Sequence, residues 1–259
     1  IMDGFLNILK PPGMSSHDIV GFVRKVLGTK KVGHAGTLDP GAAGVLPVAV
    51  GRATRLIEYL SAVDKSYRAE LLFGVSTDTG DDTGNVLETK TLFEMPTAEV
   101  LEEAMQKLTG EITQVPSAYS AIKIHGQKAC DLARKNIDVT IPARKVWIYR
   151  LALLAKRDKT LLLDVDCSKG TYIRTLCTDL GESVGIPATM SFLVRTRVGD
   201  FSLSDAYTLE ELKEVGEDAL LLPEDCLSHL PVYELPEHRQ QAFCNGLPTH
   251  DTRFSFEEL

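Results

Sequence analysis

A glycine-rich stretch over residues 33–47 contains a carboxylate in a position suited to chemistry. The stretch reads Gly-His-Ala-Gly-Thr-Leu-Asp-Pro-Gly-Ala-Ala-Gly-Val-Leu-Pro, and its carboxylate is Asp39. A carboxylate held in such a loop, just before an apolar strand, can reach into a cleft and act there as a nucleophile. The alternative is that Asp39 only organises a turn before Pro40, and for an isolated Asp-Pro pair that alternative would be favoured.

A second candidate nucleophile is Ser183, in a G-x-S-x-G motif over residues 181–185. A serine hydrolase with this motif needs a strand before the serine and a helix after it. Here residues 172–180 are predicted to be helical, and Pro187 follows. We therefore interpret the motif as a helix C-terminus capped by Gly185, and a serine hydrolase is disfavoured.

Two weaker patterns lie in loops. The Asp-Thr-Gly sequences at residues 78–80 and 82–84 resemble those of aspartic proteases, but two copies in one loop cannot face each other from separate lobes, so we predict a turn. Residues 33–36 have the G-x-x-G form of an RNA-clamping loop, which is a weak signal when it occurs alone.

Residues 33–47 are similar to the catalytic loop of the TruB-type tRNA pseudouridine synthases, which has the form GHxGTLDPxAxGVLPV. Other blocks resemble motifs of the same family and follow the family's order across about residues 5–201, so the resemblance covers most of the chain. These blocks are Lys10–Asp18 (KPPGMSSHD), Lys65–Tyr67 (KSY), Gln114–Lys123 (QVPSAYSAIK), Lys169–Leu176 (KGTYIRTL) and Leu193–Gly199 (LVRTRVG).

The resemblance implies an isomerase that converts uridine to pseudouridine at position 55, in the T-loop of tRNA. The N1–C1′ bond of the nucleotide breaks, the uracil turns, and it rejoins the sugar through C5. Attack at C1′, addition at C6 and a glycal route all remain open. Because neither redox change nor hydrolysis occurs, we expect neither a metal nor an organic cofactor. The alternative hypothesis is a tRNA-binding or folding helper in which catalysis is incidental.

By resemblance, Asp39 is the catalytic nucleophile and Arg174 is the cation beside it. A neighbouring cation favours the charged form of a carboxylate. Arg174 lies on or near the apolar side of its predicted helix, which weakens the alternative of an ordinary surface arginine. A base inside a folded loop must be flipped out and stacked on an aromatic ring, and Tyr67 is the family-matched ring. The resemblance also implies that Tyr67 moves a proton.

The resemblance assigns binding roles to further residues. Tyr172 and Leu193 are expected to line the uracil pocket, and His34 is expected to fill the gap that the flipped base leaves. From position alone, Tyr67 and Leu193 would be core residues of strands. Basic residues near these blocks are candidate phosphate contacts: Lys30, Lys31, Lys123, Lys128, Arg134 and Lys135.

The elements that must position these residues alternate irregularly, which predicts an α+β fold with a mixed, largely antiparallel central sheet and flanking helices. The resemblance implies the same pseudouridine synthase fold. Strands are predicted near residues 5–9, 45–50, 67–73, 144–154, 161–166 and 190–198, with loops over 30–44 and 76–85. Helices are predicted over 17–27 with Ser16 as N-cap, over 52–60, from Thr97 to Gly110, and over 172–184.

The chain is expected to contain one large domain and a small appendage. We assign residues 1–230 to a catalytic domain. Residues 231–259 are acidic and punctuated by prolines, and we expect them to begin a truncated or partly ordered PUA-like module.

The net charge of −8 argues at first against a nucleic-acid partner. The charge is unevenly distributed, however: residues 1–75 and 111–200 carry net charges of +3 and +5, whereas residues 76–110 and 201–259 carry −6 and −10. Because every candidate site residue lies in a positive segment, we predict a basic cleft on an otherwise acidic body. The resemblance implies that the partner is the T-arm of tRNA.

The remaining composition bounds the environment of the protein. No apolar run approaches 18 residues, so we expect no membrane span. The five cysteines are odd in number and lack C-x-x-C spacing, and the six histidines are scattered. These features disfavour a disulfide framework and a metal site, and they favour a cytoplasmic protein, with a monomer as the default.

Overall fold

The computed structural model describes residues 2–119, 123–124, 127–135 and 140–246. Its strands are β1 (Gly4–Lys10), β2 (Val32–His34), β3 (Ala43–Val50), β4 (Lys65–Phe73), β5 (Val75–Thr77), β6 (Val86–Thr89), β7 (Gly110–Gln114), β8 (Lys123–Ile124), β9 (Gln127–Lys128), β10 (Arg144–Arg157), β11 (Thr160–Cys167), β12 (Ala188–Val198) and β13 (Phe201–Ser202). Its α-helices are α1 (Ser16–Leu27), α2 (Ile57–Ser61), α3 (Ala98–Lys107), α4 (Ala129–Arg134), α5 (Ile173–Ser183), α6 (Leu209–Val215) and α7 (Glu237–Cys244). Four 3₁₀ helices in the described part of the chain cover Gly51–Leu56, Leu203–Asp205, Gly216–Ala219 and Pro223–Cys226.

Within the described ranges, nine strands form a central sheet. Its order is β1-β3-β12-β4-β11-β10-β7, with β2 added on β3 and β13 on β12. The pairs are antiparallel except β12 and β3, which run parallel. The predicted α+β class with a mixed, largely antiparallel sheet and flanking helices is confirmed.

Alternating residue types in the central strands direct one face of the sheet toward α3 and α5. In β4, every second residue from Lys65 to Phe73 is buried, while Arg68 between them is exposed. Helix α5 contributes its apolar stripe to the same core, which fixes the first turn of α5 beside β4 and β12. This core includes Ala69, Leu71, Phe73, Leu101, Ile173, Leu176 and Leu180. A second core lies between α1, β1 and β3.

The N-cap of α1 is Ser15, and the prediction of Ser16 was wrong. The Ser15 hydroxyl accepts from the backbone N–H of Asp18, and the Asp18 carboxylate accepts from the backbone N–H of Ser15. This reciprocal capping box needs an acidic residue three positions after the cap, which selects Ser15 over Ser16. The Ser16 side chain is free to turn into the core, where it is buried.

Other boundaries differ in smaller ways. The predicted loop over residues 30–44 contains β2, and the predicted helix over residues 52–60 is a 3₁₀ helix continued by α2. The helix that Thr97 caps ends at Lys107.

The segment after β13 covers the outer edge of β1. Tyr207 makes backbone hydrogen bonds with Asn7 and Leu9, and Leu221 makes a reciprocal pair with Phe5. An open strand edge pairs readily with other chains, so this segment completes the sheet. Beyond it, α7 buries none of its side chains. The domain boundary near residue 230 stays a prediction.

Candidate active site

The loop that carries Asp39 joins β2 to β3, and a buried lysine holds one side of it. Lys10 is fully buried, and its ammonium group donates to the carbonyls of Pro11 (2.8 Å), Met14 (2.6 Å) and Pro40 (3.3 Å). Burial lowers the pKa of Lys10, and the charge of Asp39 opposes this effect. Three carbonyls satisfy the three donors of an ammonium group. Lys10 therefore fixes the backbone immediately after Asp39.

Ser16 holds the backbone immediately before Asp39. Its hydroxyl oxygen accepts from the backbone N–H of Leu38 (2.9 Å) and donates to the Leu38 carbonyl (3.0 Å). Both groups are buried, so these bonds replace water that the site cannot supply. With the backbone tied on both sides, the half-exposed Asp39 side chain is presented from a rigid loop.

Arg195 of β12 joins the two ends of the same loop. Its guanidinium donates to the carbonyls of Gly36 (2.9 Å) and Val45 (2.9 Å), and the side chain is almost completely buried. Gly44 lies against the backbone of Arg195 at a φ of +118°, and an added Cβ would overlap the Arg195 carbonyl oxygen. Only glycine permits this backbone conformation and this approach.

Arg174 lies between two carboxylates. Its Nη2 is 3.7 Å from Asp39 Oδ2, and its Nη1 is 3.5 Å from Asp81 Oδ2. Burial raises the pKa of Asp81, but hydrogen bonds from Thr83 and Thr79 and the charge of Arg174 outweigh it, so the pKa lies below its usual value. An ionised Asp81 thus holds one edge of the guanidinium while the other edge faces Asp39.

Two cavities meet at the Asp39–Arg174 pair. The Tyr67 cavity has a volume of about 270 Å³, and the Phe192 cavity has a volume of about 460 Å³. Besides the pair, the residues that line the Tyr67 cavity include Lys65, Tyr67, Tyr172, Leu193 and Arg195 together with residues 36–38. The Phe192 cavity is lined by Ala42, Asp81, Asp82, Tyr119, Arg134, Met190 and Phe192, among others.

The Tyr67 cavity combines aromatic rings with donors. The Tyr67 hydroxyl is a hydrogen-bond partner of Arg195; burial raises the pKa of Tyr67, and the charge of Arg195 opposes the rise. Lys65 donates to the Val63 carbonyl (3.0 Å), and burial together with Arg195 lowers the pKa of Lys65 to about 8. Such a cavity suits a flat, uncharged ring that carries carbonyl oxygens.

The structure brings five of the six predicted site residues together. They line one cavity: Asp39, Tyr67, Tyr172, Arg174 and Leu193. The sixth, His34, ends β2 and lines neither of the two cavities. Its Nδ1 is buried without a hydrogen-bond partner among the described residues, and burial lowers its pKa.

The predicted basic cleft is only partly observed. The Tyr67 cavity contains three cationic side chains, but the neighbouring Phe192 cavity has Asp81 and Asp82 in its wall. Both carboxylates belong to the acidic segment 76–110, so part of the acidic surface borders Asp39, contrary to a wholly basic cleft. The hairpin of β5 and β6 brings the acidic loop to β12, where the Met190 N–H donates to the Gly80 carbonyl (2.9 Å). The net charge of a segment, counted along the sequence, cannot show that its acidic loop folds against β12.

The candidate phosphate contacts are mostly exposed. Arg134 lines the Phe192 cavity and lies 3.6 Å from Asp131. The side chain of Lys123 lies outside the described residues. The others are exposed: Lys30, Lys31, Lys128 and Lys135.

Sequence reasoning gave no role to several residues of the site. Lys65 and Arg195 belong to the family-like blocks, and each shares the inward face of its strand with apolar neighbours. A charged side chain on the buried face of a strand needs buried hydrogen-bond partners. The positions of Lys65 and Arg195 in the alternation of their strands could therefore have marked them as residues of the site. No comparable signal marks Asp81, because its partner is distant in sequence.

Several expectations outside the site can also be compared with the structure. The Ser183 hydroxyl donates to the Asp179 carbonyl (2.8 Å) in the last turn of α5, as expected of a helix C-terminus. In the described part of the chain, no cluster of three or more His, Cys, Asp or Glu side chains could hold a metal ion. No described helix is long and apolar enough to cross a membrane. Four cysteines are free thiols: Cys167, Cys177, Cys226 and Cys244. The side chain of Cys130 lies outside the described residues.

Two family models match consecutive parts of this chain. The model for the N-terminal domain of TruB family pseudouridylate synthases matches residues 24–173. The model for the C-terminal domain of tRNA pseudouridylate synthase B matches residues 174–227. Their boundary falls at the start of α5, and β12 beyond it pairs with β3 and β4, so both matched regions contribute to one sheet.

The chain is also similar to curated proteins and to solved structures. It is 51% identical over 247 residues to tRNA pseudouridine synthase B of Caldanaerobacter subterraneus subsp. tengcongensis, covering 95% of this chain and 85% of that protein. It is 51% identical over 233 residues to the protein of the same name from Symbiobacterium thermophilum, covering 89% and 77%. A chain in the crystal structure of a Cbf5-Nop10-Gar1 complex superposes with a TM-score of 0.71 at 30% identity, covering 88% of this chain and 62% of that one. The present chain therefore spans less than two thirds of that solved chain.

Proposed function

The chain belongs to the TruB family of pseudouridylate synthases, and we propose that it converts uridine to pseudouridine at position 55 of tRNA, with Asp39 as the nucleophile. As a member of this family it is an isomerase that acts on tRNA. The observation that carries the finer proposal is the Asp39 carboxylate beside Arg174, at the edge of a cavity lined by Tyr67 and Tyr172.

The Tyr67 cavity would receive the flipped-out uracil. Uracil is flat and uncharged, which suits stacking on the aromatic rings of the cavity. Its two carbonyl oxygens can accept hydrogen bonds from Lys65 and Arg195. Leu193 completes the apolar wall. Since the base must leave the sugar, turn and return, an apolar side chain on this side of the cavity restricts the positions that the released base can take.

Asp39 acts at the sugar. The backbone around it holds the carboxylate at one place, and the guanidinium of Arg174 lies 3.7 Å from Asp39 Oδ2. A carboxylate can attack C1′, add to C6, or, in a glycal route, take the C2′ proton and return it when C5 bonds to C1′. In each case the N1–C1′ bond breaks, C5 bonds to C1′, C5 loses its proton, and N1 gains one.

Tyr67 is proposed both as the ring that stacks on the base and as the group that moves the C5 proton. Burial raises the pKa of Tyr67, so its hydroxyl is protonated at rest; once it gives that proton to the released N1, the phenolate is a strong base that takes the C5 proton. Arg195 stabilises that phenolate through its charge and its hydrogen bond.

The decisive experiment measures tritium release from tRNA transcripts that carry 5-tritiated uridine, because only chemistry at C5 liberates that label. We expect release with the natural chain and none with Asp39→Asn. A transcript with cytidine at position 55 is the control, and release from it at the natural rate would contradict the assigned position.

The same variant separates catalysis from binding. Asp39→Asn keeps the size of the side chain and removes its charge, so we expect tRNA affinity in filter binding to stay within about threefold, as for a half-exposed surface contact. Retained turnover in this variant would overturn the assignment of Asp39. Measurable assistance to tRNA folding by this variant would favour the alternative of a folding helper in which catalysis is incidental.

The remaining parts of the proposal concern context. We propose that residues 1–230 form the catalytic domain and that 231–259 begin a PUA-like module. We further propose that the bound part of tRNA is its T-arm, with exposed lysines contacting phosphates, and that the protein is a cytoplasmic monomer.

A further inference from the structure

A buried glutamine binds both backbone polar groups of Tyr172. Gln114 is fully buried; its Nε2 donates to the Tyr172 carbonyl (3.1 Å), and its Oε1 accepts from the Tyr172 N–H (2.9 Å). Tyr172 is the N-cap residue of α5 and has no side-chain cap of its own. The Gln114 amide thus supplies the pairing that fixes where α5 begins.

Arg144, the strand partner of Gln114, holds the same turn through its side chain. Arg144 pairs with Gln114 in the register of β10 and β7. Its guanidinium lies 5.3 Å from the centroid of the Tyr172 ring and donates to the Gly170 carbonyl (3.4 Å). Two facing residues of one strand pair therefore hold both the backbone and the ring of the residue that opens α5.

The position of Arg174 depends on this turn. Arg174 is the second residue of α5, and its guanidinium must lie between Asp39 and Asp81. A displaced first turn of α5 would move the guanidinium away from Asp39. A displacement of about 1 Å in a catalytic group can lower a rate by about 100-fold.

Gln114 and Arg144 also mark the two ends of the segment 115–143. Gln114 is the last residue before it, and Arg144 is the first residue after it. Within this segment, the Tyr119 hydroxyl donates to Asp78 (3.3 Å), and Arg134 lines the Phe192 cavity. Gln114 and Arg144, which hold the turn that carries Arg174, therefore flank in sequence two described residues of the cleft, Tyr119 and Arg134.

We propose that Gln114 is a positioning residue of the isomerisation: through Tyr172 it sets the distance between Arg174 and Asp39. This inference rests on the proposed function. It assigns to Gln114 no contact with the substrate, so its loss changes the rate of the chemical step and leaves tRNA affinity unchanged.

The test uses a substitution whose effect depends on pH. In Gln114→Glu, a protonated carboxyl group can still donate to the Tyr172 carbonyl and accept from its N–H, whereas an ionised one only accepts and repels the carbonyl. A free glutamic acid has a pKa of about 4.3, and burial raises it. Relative to the natural chain at each pH, the single-turnover tritium release of Gln114→Glu should fall as pH rises between about 5 and 8.

A second substitution and a control complete the design. Gln114→Leu lacks both hydrogen bonds at every pH, so its single-turnover rate should be lower by about 10- to 100-fold without a new ionisation. Gln106→Glu on the exposed side of α3 should match the natural chain. Filter binding should give unchanged tRNA affinities, and circular dichroism should show the same folded fraction across the pH range.

The outcomes separate this inference from the proposed function. If the natural chain releases no tritium, the proposed function fails first. If it does, a pH profile of Gln114→Glu parallel to the natural one overturns the positioning role, as does a loss of tRNA affinity at an unchanged rate. If neither Gln114 variant folds, Arg144→Met tests the other contact on the same turn. A single-turnover rate lowered severalfold at unchanged affinity then supports the inference, and an unchanged rate overturns it.

Discussion

The hydroxyl of Ser16 binds both backbone polar groups of Leu38, the residue directly before Asp39. One small side chain therefore performs the pairing that a neighbouring strand would provide elsewhere. Ser15, one position earlier, uses its hydroxyl only to cap α1. Two adjacent serines with the same chemistry thus serve different purposes, and each can be removed separately.

Ser16→Ala is expected to impair both stability and catalysis. The substitution leaves a buried N–H and a buried carbonyl of Leu38 without partners, and each unsatisfied group costs about 1–3 kcal/mol. The loop that carries Asp39 also becomes looser, so the single-turnover rate of tritium release should fall by about tenfold or more. Urea denaturation and rapid-quench kinetics measure the two effects.

Ser15→Ala provides the matched control. Loss of an N-cap lowers the free energy of unfolding by about 1 kcal/mol, and the rate should change little because Asp39 is not touched. Equal rate losses in the two variants would show that the Ser16–Leu38 bonds have no specific effect on Asp39.

Asp81→Asn is expected to slow the reaction without weakening tRNA binding. The substitution removes the charge that holds Nη1 of Arg174 and keeps the shape of the side chain. With one edge of the guanidinium released, its orientation toward Asp39 is less defined, and we expect a loss of about 10- to 100-fold in the single-turnover rate. Asp82→Asn changes the exposed neighbouring carboxylate, and its rate should stay near the natural one. A larger loss in Asp82→Asn than in Asp81→Asn would contradict the role given to Asp81.

The elements that the sequence predicted well are those with a local period. The alternation in β4 and the apolar stripe of α5 depend on spacing within one element, and burial of one face follows from that spacing. The same spacing placed Tyr67 inward and Arg174 near the apolar side of its helix.

The contacts that the sequence did not reveal join distant parts of the chain. Arg174 and Asp81 are 93 positions apart, and Gln114 and Tyr172 are 58 positions apart. Each pair meets because the sheet order brings its elements together, and that order is not written in any local pattern. An acidic loop and a buried glutamine therefore had no visible function until the topology was known.

Two glycines of the Asp39 loop are predicted to differ in how much an alanine substitution lowers the free energy of unfolding. Gly44→Ala places a Cβ against the Arg195 carbonyl at a φ that other residues rarely adopt, so we expect a loss of more than about 4 kcal/mol, or no soluble protein. Gly41→Ala has open space and no positive φ, so the free energy of unfolding should change by less than about 1 kcal/mol. Thermal and urea unfolding of the two variants measure the difference, and a stable Gly44→Ala protein would contradict the close approach.

Because of Lys65, the free energy of unfolding should vary with pH in the alkaline range. Its pKa in the folded protein is about 8, against an ordinary value of 10.5, because of burial and Arg195. Between these values the unfolded chain binds more protons than the folded one, so the free energy of unfolding rises with pH. Below about pH 8 the folded protein bears the full cost of a buried cation, which the shift puts at up to about 3 kcal/mol.

Lys65→Met removes this titration. The difference in unfolding free energy between Lys65→Met and the natural chain should be most favourable to the variant at pH 7 and should shrink as pH rises from 8 toward 10. Urea denaturation at several pH values measures it, with Lys107→Met, at an exposed lysine of α3, as the matched surface control. A pH-independent difference for Lys65→Met would mean that Lys65 keeps its charge in the folded protein up to its ordinary pKa. The Tyr67 cavity would then present a permanent ammonium group to the base.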